Sequence, residues 1–143
     1  MEKTEIIRHN PFKSENNFLN LLDLSLDNYL ISDALFTSCK LEQVQGKKLV
    51  FVNCTFQACV FESLDLSNCS FENCAFRDCL WTACKFVACK FNNISWKRCF
   101  LKHNQWIGSQ MDDNTLELIY GQEKSVEDYE EENTTQWSFV LNG

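Results

Sequence analysis

Large apolar residues recur at every fifth position of this chain. From 36 the series runs Phe36, Leu41, Gly46, Phe51, Phe56, Phe61, Leu66, Phe71, Phe76, Trp81, Phe86, Phe91, Trp96, Leu101, Trp106, Met111 and Leu116, and only Gly46 breaks it. Two places upstream in the same frame stand Cys39, Cys54, Cys59, Cys69, Cys74, Cys79, Cys84, Cys89 and Cys99, which are all nine cysteines of the chain. Chance would put them in one phase in roughly one sequence in four hundred thousand, so the period belongs to the fold.

A period of five fits neither the 3.6 of an amphipathic helix nor the 2.0 of a flat strand. Two inward residues two places apart, then three outward ones, describe a short extended step followed by a corner. Four such steps close a square coil of about 20 residues, and successive coils stack at about 4.8 Å. The large residue fills the middle of each side. The position two before it sits inward beside a corner, where a small, readily buried cysteine fits. Outward places carry Asn53, Ser67, Asn68, Asn73, Asp78 and Asn93, residues suited to turns.

The stretch CTFQACVFESLDLSNCSFENCAFRDCLWTACKFVACKF, residues 54 to 91, resembles tandem pentapeptide repeats of the A/C-D/N-L/F-x-x type. The resemblance covers at least residues 34–111. It implies an all-β fold, the right-handed quadrilateral β-helix of pentapeptide repeat proteins, with Phe36, Phe51, Phe56, Phe61, Phe71, Phe76, Trp81, Phe86, Phe91, Trp96 and the nine cysteines as core. About function it implies little, since most members have no assigned activity.

Frame and composition suggest an N-terminal cap over 1–23, a β-helix over 24–118 and an acidic tail or cap over 119–143. Five coils at most would make a rod about 24 Å long with two open ends to cover. Upstream, Tyr29/Ile31 and Leu24/Leu26 continue the phase. Residues 15–29 also read as a capping helix, with Phe18, Leu22, Leu26 and Tyr29 on one stripe. Downstream, the cysteine phase passes to Asn104, Ser109 and Asn114. At Gly46 one side is either thinly filled or bulges outward over 42–48, and the bulge is the favoured expectation.

The cysteines are expected to be reduced and inward. They recur singly with no histidine nearby, so no metal site is expected, and their number favours a reducing, cytoplasmic setting, expected to be bacterial. The opening MEKTEIIRHNPF does not read as a secretory signal, and the longest apolar run, Leu49–Val52, is far too short to span a membrane. No Gly-rich phosphate loop, HExxH or nucleophile elbow is found, so neither catalysis nor a cofactor is expected.

The net charge of −7 raises a second implication of the resemblance, because Qnr-type members mimic DNA and bind gyrase and topoisomerase IV, modulating fluoroquinolone sensitivity. Yet residues 36–118 hold eight acids against nine bases, and the excess lies outside them. Outward apolar residues say more. Val60, Leu80 and Phe100 fall 20 apart and should stack into a ladder, with Val87 and Ile107 forming a shorter one. Trp137 and Phe139 in the tail are either partner-binding residues or a strand that folds back over the ladder. The expected function is a rigid protein–protein interaction module, open to homodimerisation, with no direct nucleic-acid or membrane partner.

Overall fold

The computed structural model describes residues 11–126. Among these, nineteen strands of two or three residues wind into a four-faced parallel β-helix, followed by one helix, Asp113–Val126. Face 1 holds Glu15–Asn17, Leu35–Thr37, Thr55–Gln57, Ala75–Arg77 and Ser95–Lys97. Face 2 holds Asn20–Leu22, Lys40–Glu42, Val60–Glu62, Leu80–Thr82 and Phe100–Lys102. Face 3 holds Gln45–Lys47, Asp65–Ser67, Lys85–Val87 and Gln105–Ile107, and face 4 holds Leu30–Ser32, Val50–Val52, Ser70–Glu72, Lys90–Asn92 and Gln110–Met111. Each strand pairs with the one 20 residues on, so Phe36, Phe56, Phe76 and Trp96 lie one above another. The expected quadrilateral coil is the fold.

The corners explain the polar outward residues. From Phe18 to Gly108, every fifth residue is left-handed, with φ between 53° and 63°. Eight of these nineteen are Asn or Asp, which tolerate that region best after glycine. The twist aims each corner N–H at the next coil, as Ser38 N–H donates to the Gln57 carbonyl at 2.8 Å. Each strand then donates back to the coil before, as Val60 N–H does to the Cys39 carbonyl at 3.0 Å.

Inside, rings stack along faces and meet edge-on across corners, the two arrangements aromatic quadrupoles favour. Phe36–Phe56, Phe56–Phe76 and Phe76–Trp96 lie 4.8, 4.9 and 4.7 Å apart and nearly parallel, while Phe56 meets Phe61 at 69°. The named core residues are buried apart from Trp96, which is partly exposed and packs against the rest. All nine cysteines are free and buried. Each thiol donates to the carbonyl 23 residues earlier, in the coil below, at 3.2–3.5 Å.

Three expectations need correction. Gly46 does not bulge, since Gln45–Lys47 is a regular strand with Gly46 buried opposite Leu66. Longer inner-corner residues fill the space instead. A Cβ on Gly46 would lie 3.1 Å from Leu66 Cδ2, 3.2 Å from Leu49 Cδ2 and 3.3 Å from the Leu26 carbonyl. The void left among Leu26, Val44, Leu49, Leu64 and Leu66 is about 10 Å³, at the lower limit for one water.

The β-helix begins at Glu15 rather than 24, and residues 15–22 are strands rather than a helix. Corner phase prevails over the helical stripe there, leaving Phe18 left-handed and 78% exposed. Asn16 takes the inward place below Phe36, and Phe12 closes on the Phe36 ring edge-on at 5.2 Å. At the other end the coil stops at Met111 instead of 118. Asp112 caps the helix, accepting from Thr115 N–H at 3.0 Å, and its other oxygen accepts from Ile94 N–H at 2.7 Å. Thr115 and Ile119 then seal the last coil, with Trp96 Nε1–H donating to Thr115 Oγ1 at 2.8 Å.

Candidate protein-docking face

Strand alternation turns the centre of each three-residue strand inward and its two flanks outward. On face 2 the leading flanks form the row Asn20, Lys40, Val60, Leu80 and Phe100, and the trailing flanks form Leu22, Glu42, Glu62, Thr82 and Lys102. The expected ladder is in register, with Val60 and Leu80 half-buried and Phe100 64% exposed. On face 3, Val87 pairs with Ile107, which is 37% exposed. The two ladders do not merge. The rows Thr82/Lys102 and Lys85/Gln105 and the corner at Ala83 and His103 stand between them. Trp137 and Phe139 lie outside the described residues.

The ladder is flanked by ordered charge. Arg98 Nε and Nη2 grip the two Asp78 oxygens at 2.6 and 3.0 Å on the adjoining corner, and Gln57 Nε2 adds a third donor at 3.0 Å. The Arg98 guanidinium holds the Asp78 carboxyl below the usual carboxylate range. Lower on face 2, Lys40 Nζ lies 3.4 Å from Glu42 and 3.8 Å from Glu62. Charge also divides along the rod. Residues 14–78 hold nine acids and four bases, whereas residues 79–111 hold five bases and no acid.

Other exposed apolar residues escaped the sequence reading: Phe18, Leu22, Leu30 and Tyr120. Carrying the five-residue frame back to 15 would have put Phe18 on a corner and Leu22 on an outward flank. The donor role of the thiols was also missed. Its signal was the passage of the cysteine phase to Asn104 and Ser109, which keep the same contacts. Asn104 Nδ2 donates to the Trp81 carbonyl at 3.1 Å and Ser109 Oγ to the Phe86 carbonyl at 3.2 Å.

Among the described residues, no cluster of three or more His, Cys, Asp or Glu side chains is placed to hold a metal. No helix there is long and apolar enough to cross a membrane. Burial pushes the Cys84 thiol up to about 12 and the Cys39 thiol upward too, whereas a hydrogen bond with the Cys79 thiol draws the buried Cys99 thiol down to about 7.

The chain is similar to solved pentapeptide structures, at low identity. Rfr23 from the cyanobacterium Cyanothece 51142 shares 12% identity at a TM-score of 0.44, over 70% of this chain and 85% of that one. A trypsin-treated form of QnrB1, a plasmid-mediated fluoroquinolone resistance protein, shares 15% identity at a TM-score of 0.34, over 67% of each chain. No curated protein matches the sequence. The model of one family, the SV2A/B/C luminal domain, matches residues 5–79, just over half of the chain. This chain, itself a pentapeptide-repeat β-helix, therefore belongs to the SV2A/B/C luminal domain family.

Proposed function

We propose that this chain is a rigid, non-enzymatic docking module that offers face 2 to a protein partner. The observation that carries the reading is the in-register ladder of Val60, Leu80 and Phe100, with Phe100 the most exposed of the three. A row of aligned apolar side chains on a stiff rod is prearranged, so binding costs less ordering entropy than it would on a loop. An exposed aromatic at the end of such a row is the type of side chain that dominates interface energies.

The test compares capture of partner proteins by the full chain and by Phe100→Glu, with circular dichroism confirming that the variant folds. A loss of at least about tenfold is expected, as for an aromatic anchor. Equal capture by both would remove face 2 from the function.

The cytoplasmic placement rests on the nine thiols. Because each is buried, the same chain would also keep them free in the lumen for which the SV2A/B/C domains are named. The DNA-mimic reading draws on the net charge of −7, but that charge is not carried along the whole rod. The coils beyond residue 79 carry only positive formal charge, opposite in sign to a duplex. A gyrase supercoiling assay reads it directly, and inhibition by the full chain would revive it.

A further inference from the structure

Face 2 is complementary to itself. Its leading row reads Val60, Leu80, Phe100 and its trailing row Glu62, Thr82, Lys102, each centred on the strand Leu80–Thr82. A half-turn about an axis lying along that strand, in the plane of the face, brings two rods together antiparallel. Leu80 then meets Leu80 of the second copy, Phe100 covers Val60 of the second copy, and Lys102 meets Glu62 of the second copy. Symmetry makes each unlike contact twice, as an isologous interface requires.

The axis also falls at the level where the rod changes sign. Residues 51–78, with four acids and one base, would run beside residues 79–111 of the other rod, with five bases and no acid. The like-charge approach of Asp78 to Asp78 of the second copy lies on a receding corner where Arg98 already neutralises each carboxylate. Charge and apolar pattern therefore select the same register.

We infer that face 2 binds a second copy of this chain as an antiparallel dimer centred on Leu80–Thr82, a conclusion that rests on the docking reading of that face and names its occupant. The patch spans three coils, so it belongs with small, weak interfaces that assemble only at high concentration.

Sedimentation equilibrium of the full chain, up to about 1 mM to suit so small a contact, provides the test. A reversible monomer–dimer equilibrium that weakens with added salt is expected. Phe100→Glu and Lys102→Glu should each raise the dissociation constant at least about tenfold. The double swap Glu62→Lys with Lys102→Glu should restore it, because both contacts return with inverted sign. A chain that stays monomeric throughout, or a double swap that recovers nothing, overturns the inference. So does a monomeric wild type that dimerises as Phe139→Glu, which would assign the face to the chain's own tail. If wild type stays monomeric while capture of another protein still depends on Phe100, the self-association falls and the docking reading stands.

Discussion

Two stretches of the rod solve the same packing problem with different residues. Around Phe76, each side of the coil carries an aromatic centre, and small thiols occupy most of the inner corners. Around Gly46 the centre is empty, and the inner corners carry Val44, Leu49 and Leu64 instead. One column shows the exchange directly, passing from Val44 and Leu64 to Cys84 and then Asn104 with the backbone in register throughout. The repeat thus specifies a path for the main chain, and the interior volume is shared among whichever inward positions can reach it. A missing centre is tolerated where neighbouring corners are long.

The sharpest way to break this comparison is to empty a centre whose corners are short. Phe76→Ala, with Cys74 and Cys79 beside it, should cost about 3–5 kcal/mol in denaturant unfolding. A loss below about 1 kcal/mol would mean the aromatic half also shares volume freely.

Alkaline pH should separate the halves almost as strongly. Cys84 is raised from an ordinary 9.0 to about 12 by burial, so the native chain holds its proton more tightly than the unfolded chain does. Stability from this group is complete below pH 9 and lost as pH rises toward 12, by about 4 kcal/mol over that window. Cys84→Ala should flatten the pH profile, while Val44→Ala, two coils lower in the same column, should lower stability without changing its alkaline slope.

Gly46→Ala should destabilise by about 1 kcal/mol, at the mild end of overpacking, because two of its three close neighbours are leucine methyls that can shift. Stabilisation instead would show that the space among the corner residues is looser than the contacts imply. The smallest effect is expected at a corner. Ala83 is left-handed at φ 57°, so Ala83→Gly should stabilise by about 0.5–1 kcal/mol in thermal unfolding.

How far the sequence could be read follows from what repeats and what does not. The square coil, its inward residues and the ladder on face 2 were all legible, because each depends on a phase sustained over several coils. The ends were not. At 15–22 a helical stripe and the five-residue frame compete on the same residues, and only ladder hydrogen bonds to the next coil decide between them. At 112 the stop depends on one aspartate reaching both the helix and Ile94, a contact between residues 18 apart that no local pattern announces. Gly46 was misread because the residues that compensate for it lie up to 20 positions away in the chain. As for the site, alignment of the ladder could be foreseen. So could the separate, shorter ladder of Val87 and Ile107 on the next face, since its phase differs from that of the first.

The hydrogen bonds from the thiols give the molecule a direction of assembly. Every sulphur reaches back to a carbonyl 23 residues nearer the amino terminus, and none waits for chain still to come. During synthesis, which delivers the amino-terminal part first, each new lap finds the acceptors for its thiols and strand N–H groups already in place. The rod can therefore grow like a rope coiled onto a deck, each round bedded on the one before, and the closing helix arrives last to lash it down.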